Sequence, residues 1–451
     1  MIPILTPSEM AAADAAAAEP VGVLIERAGA AVAREALRML GGAYGRRVVV
    51  LAGKGNNGAD GRAAAVRLRR RGARVQVIDV LDAPEQLPPA DLVIDAAFGT
   101  GFHGSYDAPD AGGTPVLAVD IPSGIDGVTG EAAGRVLRAD RTVTFAALKP
   151  GLLLADGRAL AGEVVVADIG LPVRGSADLV EANDVAAWLP RLRIEGHKWK
   201  AALLVVAGGP GMTGAAHLVA AAAQRTGAGM VRVGSPGLDD DRARPVEAVG
   251  LELPADGWAD TALAEAGRFG ALVVGPGLGR RPATQEGVPA LLGAADLPTV
   301  VDADGLVALG EALAPGCRRR PQSTVLTPHD GEYQRLLGEL PAADRIHAAR
   351  RLSSASGSVA LLKGSTTVVA PPDGRARVVA LADARLATAG TGDVLSGIVG
   401  ALLARGLEAF DAAAAGAWIH ARAAHLGAAD GLVASDLLAL LPRVLAELRA
   451  D

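Results

Sequence analysis

The 451-residue sequence predicts an α/β protein of two domains, each built around a parallel sheet. Three observations carry this. The chain is longer than one ordinary hydrophobic core supports. Short apolar runs such as VVVLA at 48–52 recur with one sequel, small and polar residues followed by a helical period. A mixed-charge stretch with two prolines, residues 169–198, interrupts that grammar once. The boundary is therefore placed there, with domains at 1–178 and 179–451.

Composition narrows the class. Half the residues are hydrophobic and 21% are charged, as in a folded soluble protein. Aromatics are only 3%, so Ala, Val and Leu must fill the core. A net charge of -6 gives no footing for nucleic acid or an anionic membrane surface. The start, MIPILTPSEM, lacks the basic n-region and apolar run of a secretory signal, and no apolar stretch is long enough to span a bilayer. The single cysteine, Cys317, excludes an internal disulfide framework and fits a reducing compartment. A cytoplasmic protein is expected.

The first domain opens with helical patterns at 7–18 and 22–40. A strand at 48–52 follows, then the loop GKGNNGADG at 53–61, a helix to Arg71 and the strand RVQVID ending at Asp79. Gly53, Gly55 and Gly58 imitate the dinucleotide fingerprint, with Asp79 in the place of its ribose-binding acid. Asn56, Asn57 and Asp60 argue otherwise, because they fill with side-chain polar groups a loop that the fingerprint keeps bare. These groups suit a polar ligand or a hard cation. An Asn-rich turn is the plainer alternative. Further strands end in polar loops: Asp95 with Gly99 and Gly101, Asp120 with Ser123 and Asp126, then Lys149. Ligands bind beyond the carboxyl ends of strands in such sheets, so acids from separate strands suggest one site. The basic run at 67–72 reads as a solvated face that complements a helix C-terminus.

In order and spacing, GKGNNGADG, DAAFGTG, AVDIPSG and TFAALKPGLLL resemble the YjeF N-terminal domain family, which includes the NAD(P)H-hydrate epimerases. The resemblance covers residues 1–175 and implies a Rossmann-like domain. It implies potassium near Asn57, Asp95 and Ser123. It also implies hydrate contacts from Asn56, Asn57, Gly58, Ala59 and Asp60, from Gly99, Thr100, Gly101, Phe102, His103, Gly104 and Ser105, and from Asp120. Ala59 stands where the family usually has Gly, which is tolerable only at a negative φ. Epimerising a carbinolamine carbon requires an acid–base group. Asp120 is the first choice, kept ionised by a nearby cation. Lys149 either steadies an oxyanion or pairs with a carboxylate as surface lysines do.

In the second domain ALLVVAGGPGMTGAAHL, ALVVGPGLG, TVVDADG, STVLTPHDGE and VALLKGSTTVV repeat the strand-then-polar grammar. Gly277, Asp302, Asp304, His329, Glu332, Lys363 and Thr366 fall at strand ends. The organising stretch is LATAGTGDVLSG at 386–397. Gly390 to Gly392 open a helix, where free N–H groups and the helix dipole favour an anion. Asp393 inside such a site is either a helix cap or a base on a hydroxyl that receives a phosphoryl group. No P-loop is present. The AGTGD turn resembles the anion hole of ribokinase-like enzymes.

With HK, GPGLG, DADGL, LTPHDGE, LLKG and LVASDLLALLP, this half resembles the NAD(P)H-hydrate dehydratases, the carbohydrate-kinase-like branch of that superfamily. Ala389 replaces a usual Gly. The resemblance implies phosphorylation of the hydrate hydroxyl and departure of phosphate, with Asp393 as the base. The hydrate is met by Ala215, Gly277, His329 and Asp393, and the adenine nucleotide by Lys363, Gly364, Ser365, Thr366, Thr367 and Gly392. Mg2+ accompanies ADP as donor, although ADP and ATP are not distinguished by sequence. For His329 a backbone-bonded role is the alternative. The expectation is a bifunctional repair enzyme acting on NADHX and NADPHX, assembled as a homo-oligomer. The competing reading is a ribokinase-like small-molecule kinase behind a non-catalytic binding domain.

Overall fold

The structure is a computed structural model that describes residues 1–191, 196–238, 244–310, 313, 317, 320 and 322–450. The chain divides into two compact units, Ile2–Asp178 and Leu179–Asp451.

In the first unit, α1 (Pro7–Ala15) and α2 (Val21–Leu40) precede β1 (Arg47–Ala52), α3 (Asn56–Arg70), β2 (Arg74–Asp79), β3 (Leu92–Ala96), β4 (Val116–Val119), β5 (Arg141–Phe145) and β6 (Glu163–Ala167). The sheet runs β2-β1-β3-β4-β5-β6 with every pairing parallel. β3 and β4 are buried at every residue, as expected of strands covered on both faces. The order reverses at β1, between β2 and β3, and a crevice opens beyond the strand ends at such a switch point. The glycine pattern that imitates a dinucleotide loop is a packing device here. A Cβ on Gly58 would lie 1.9 Å from the Gly53 carbonyl oxygen, so only glycine lets the first turn of α3 press onto that loop.

In the second unit the strands are β7 (Ala202–Val206), β8 (Met230–Gly234), β9 (Val249–Leu251), β10 (Ala271–Val274), β11 (Thr299–Val301), β12 (Thr324–Leu326), β13 (Val359–Leu362), β14 (Thr367–Ala370) and β15 (Ala376–Val379). They lie in the order β15-β14-β13-β12-β11-β10-β7-β8-β9, reversing at β7. Pairing is parallel from β13 to β9, whereas β13–β14 and β14–β15 are antiparallel. The domain is built around a parallel sheet as expected, and its edge turns antiparallel because residues 363–366 form a short hairpin loop with no crossover helix. Helices α4 (Thr213–Arg225), α5 (Asp330–Leu337), α6 (Thr391–Ala404), α7 (Ala409–Leu426) and α8 (Ala434–Ala450) include two apolar on nearly every side. From Val394 onward α6 is wholly buried, and α7 is buried along most of its length. Among the described residues no helix is long and apolar enough to cross a membrane.

Candidate active sites

In the first unit a cavity of about 510 Å³ opens at the ends of β1, β3, β4 and β5. Asn56, Asn57, Asp60, Asp120 and Lys149 line it, with residues 99–102. Gly58, Ala59, His103, Gly104 and Ser105 lie outside the lining. Ala59 sits in the first turn of α3 and is absent from the positive-φ residues, so the alanine is accommodated without strain.

Asp120 leaves β4 with φ 68, a left-handed conformation that Asp tolerates better than most residues. Its Oδ1 lies 2.7 Å from Lys149 Nζ and accepts from Thr144 Oγ1 at 3.1 Å, and its Oδ2 accepts from Thr100 N at 3.4 Å. Burial alone pushes the Asp120 carboxyl up, but the Lys149 ammonium and these hydrogen bonds bring it below its ordinary value. The counter-cation expected near Ser123 is therefore, for Asp120, a lysine of the chain itself. Lys149 is not a surface lysine: it is 1% exposed and also donates to Thr144 Oγ1 at 2.7 Å and to Phe145 O at 3.1 Å.

Asp95, near the end of β3, is also 1% exposed. It accepts from Ser123 Oγ at 2.6 Å and Ser123 N at 2.9 Å, and burial pushes its carboxyl up. Among the described residues no cationic side chain pairs with it. The side-chain oxygen and nitrogen of Asn57 and the Tyr106 hydroxyl are likewise buried without partners. Asp79, the fingerprint's ribose acid, is taken by Arg62 at 3.4 Å and by the N–H of Leu81 at 3.1 Å.

In the second unit a cavity of about 780 Å³ is lined by His329, Lys363, Gly364, Ser365, Thr367 and Gly392, with Leu386, Leu395 and Ala417 as apolar wall. Thr366 is buried at 1% exposure and lies outside the lining. Lys363 Nζ sits 2.9 Å from Asp302 Oδ1 and 3.6 Å from Glu332 Oε2. Ser396 Oγ donates to the other Asp302 oxygen at 2.7 Å. Burial lowers Lys363, but the two carboxylates hold it above its ordinary value.

Gly390 caps α6 at φ 89, where a Cβ would meet Leu218 Cδ1 at 2.6 Å. Ala389 needs no positive φ, which explains the alanine. A Cβ on Gly392 would stand 3.6 Å from Lys363 Nζ, so the N–H groups opening α6 and this lysine face one space. Asp393 makes no side-chain cap; burial first, then Asp302, push its carboxyl up to about 7 despite Lys363. His329 caps α5: its Nδ1 accepts from Gly331 N at 3.0 Å and Glu332 N at 3.3 Å. Nδ1 is thus the acceptor, and the protonated Nε2 lies 3.6 Å from Glu332 Oε2 at the cavity edge. Ala215 and Gly277 pack together, a Cβ on Gly277 meeting Ala215 Cβ at 2.8 Å, and neither lines this cavity.

Several polar lining residues escaped the sequence reading, among them Lys54, Asp330, Thr388 and Thr391. Asp14 projects from α1 into the first cavity, and His420 from α7 and Asp383 reach the second. Asp14 and His420 sit in alanine-rich helices, where no local pattern marks a site.

A parallel-dominated sheet whose strand order reverses once, a glycine-capped buried helix and a carboxylate in its first turn make the second unit a ribokinase-like α/β unit. A ribokinase-like superfamily protein from Enterococcus faecalis V583 shares that fold, with TM-score 0.54, 18% identity, and coverage of 62% of this chain and 99% of its own. The family model described as NAD(P)H-hydrate dehydratase matches residues 203–445, and that of the YjeF-related protein N-terminus matches 21–88 and 78–151. The chain belongs to the family of bifunctional NAD(P)H-hydrate repair enzymes. The bifunctional NAD(P)H-hydrate repair enzyme Nnr of Mycobacterium leprae (strain TN) is 40% identical over 445 residues, covering 91% of this chain and 90% of its own. That of Salinibacter ruber (strain DSM 13855 / M31) is 37% identical over 533 residues, covering 99% and 96%. The ADP/ATP-dependent NAD(P)H-hydrate dehydratase of Bacillus subtilis, co-crystallised with ATP/Mg2+, aligns with TM-score 0.52 and 29% identity, over 59% of this chain and 97% of its own.

Proposed function

We propose that the first domain equilibrates the R and S hydrates of NADH and NADPH. The second then dehydrates the S hydrate, with ADP becoming AMP and phosphate. The observation that supports this reading most is that each unit has its own cavity with a lysine paired to a carboxylate at its strand ends, Lys149 with Asp120 and Lys363 with Asp302.

In the second domain Asp393 removes the proton of the hydrate hydroxyl, whose oxygen attacks the terminal phosphorus. AMP leaves while the N–H groups of Gly390 to Gly392 neutralise the transferred phosphoryl. Phosphate then departs with the neighbouring carbon's proton, restoring the reduced ring. Lys363 to Thr367 and Gly392 hold the nucleotide; Ala215, Gly277 and His329 hold the hydrate. The carboxylates that act on Asp393 are already engaged, Asp302 by Lys363 and Ser396, Glu332 by Lys363 and the His329 N–H, and Asp304 by the Gly279 N–H. Among the described residues no group of three such side chains could hold a metal, so Mg2+ would be carried by the nucleotide phosphates. Mg2+ supplies charge neutralisation on those phosphates.

In the first domain Asp120 is the base and Lys149 keeps it ionised. Residues 56–60 and 99–105 hold the hydrate. Potassium is assigned in this reading to Asp95, Ser123 and Asn57, supported by a buried carboxylate without a cationic partner and, in the same domain, an amide oxygen without a hydrogen bond. The ion would supply the missing counter-charge and steady the loop after β3. A homo-oligomer in the cytoplasm goes with this reading.

The test is incubation of the full chain with chemically prepared NADH hydrate and ADP or ATP, following the reduced-cofactor absorbance. Recovery with equimolar AMP or ADP and free phosphate supports the reading. An accumulating phosphorylated product contradicts it and favours a plain kinase.

A further inference from the structure

The first cavity holds a second carboxyl that is poised differently from Asp120. Asp60 lies one turn into α3, is 7% exposed and lines the cavity beside Asp120 and Lys149. Among the described residues no hydrogen bond reaches its carboxyl. Asp120, by contrast, is held by Lys149, Thr144 and Thr100. The carboxyl opens onto the cavity wall with no partner among the described residues, so its hydrogen-bonding capacity is available to whatever fills the cavity.

Epimerisation of a carbinolamine needs two proton movements: one onto the oxygen that leaves, one off the water that returns. We propose that Asp60 is the proton donor to the departing hydroxyl of the hydrate, a role that rests on the epimerase reading of this domain. The ring-nitrogen lone pair moves into the C–N bond, and the C–O bond breaks with its electron pair on oxygen. Asp60 gives its proton to that oxygen, and water leaves an iminium ring. Water adds to the opposite face, the C=N pair returns to nitrogen, and the Asp120 carboxylate takes the added water's proton. The forward passage leaves Asp60 ionised and Asp120 protonated; the reverse passage runs from that state with the roles exchanged, and proton exchange with solvent otherwise restores the starting pair.

The surroundings agree with this division. Asp14 from α1, Asp120 after β4 and Lys149 after β5 are the charged groups lining the cavity around Asp60, with Lys54 at its rim. Burial first, then Asp120 and Asp14, push the Asp60 carboxyl up to about 8, so it keeps a proton at neutral pH while Asp120 does not. Two carboxyls whose environments drive them apart are the pattern of an acid and a base in one site.

The experiment uses the full chain, the mixed hydrate epimers and ¹⁸O-water. In the parent, ¹⁸O enters the hydrate hydroxyl in step with epimerisation. Asp60→Asn, which keeps shape and neutrality, slows both by about 100-fold or more, the scale of lost acid catalysis. The loss is larger in kcat than in hydrate KM, dehydration of the pure S hydrate by the second domain continues, and Asp60→Glu restores part of the rate. Parent-like epimerisation by Asp60→Asn overturns the proposal. So does epimerisation by the parent without ¹⁸O entry, an arm that requires no variant to fold. A parent that never epimerises overturns the epimerase reading with it.

Discussion

Each unit sets a candidate base near a lysine, Asp120 by Lys149 on the first cavity wall and Asp393 by Lys363, with Asp393 itself outside the second cavity's lining, and the two pairs behave oppositely. In the first, Lys149 touches Asp120 at 2.7 Å and holds it ionised. In the second, Lys363 is spent on Asp302 at 2.9 Å and Glu332 at 3.6 Å, and Asp393 is pushed up to about 7. The difference lies in how many carboxylates share one ammonium. One for one, the cation outweighs desolvation; shared between Asp302 and Glu332, it no longer offsets burial at Asp393. The two poises suit two tasks. A base near neutrality matches proton removal concerted with phosphoryl transfer, and a firmly ionised carboxylate pairs with a protonated Asp60.

The comparison breaks most sharply at Asp393. Asp393→Asn keeps shape and charge-neutral hydrogen bonding but cannot take a proton. Dehydration should fall by about 100-fold or more, with nucleotide affinity nearly unchanged in a binding titration. Near-parent turnover would leave Asp393 as part of a helix start and nothing more.

A smaller effect is expected from pH. Asp393 must be ionised to act, so dehydration of the pure S hydrate should rise with pH through about 7 and level above it. Lys363→Met removes the charge that lowers Asp393, so its acid limb should move to higher pH. A limb left in place would mean that Lys363 does not set the poise.

The smallest effect concerns stability. Asp60 has a folded pKa of about 8 against an ordinary 3.8. The folded state therefore binds this proton more tightly, and stability is lost as pH rises between those values. Asp60→Asn abolishes that loss. Its first-domain melting temperature should exceed the parent's at mildly alkaline pH by about 2–4 °C for each kcal/mol recovered, and the gap should close in acid. A gap that persists in acid would tie the gain to packing instead.

Much of this was legible in the sequence. The β-branched run at 48–52 is the interior of β1, and the period up to Leu40 ends in a helix whose C-cap is Gly41 at φ 64. Gly390 and Asp393 proved to open α6, because small residues before an apolar helix carry a local signal. The partners of Lys149 and Lys363 carried none. Lys149 reaches an aspartate from the neighbouring strand, and Lys363 one from two strands away, pairings fixed by sheet order, which spacing along the chain does not encode. The same applies to Asp14 and His420, which reach the cavities only because their helices pack beside them. The antiparallel turn at 363–366 was missed because a polar hairpin and a polar strand-to-helix loop share a composition.

The most direct test follows the mixed hydrate epimers with ADP in the full chain, comparing the parent with Asp120→Asn and Asp393→Asn. Asparagine is the better probe at 120, since it tolerates φ 68 and can still accept from Lys149, whereas alanine would strand a buried ammonium at a cost of about 3–5 kcal/mol. The parent should run to completion. Asp120→Asn should stop when the S fraction is consumed and then creep at the spontaneous rate. Asp393→Asn should recover almost no reduced cofactor while its hydrate epimers still reach their equilibrium ratio. Completion by Asp120→Asn, or loss of both activities in either variant, would contradict two separately poised sites in one chain.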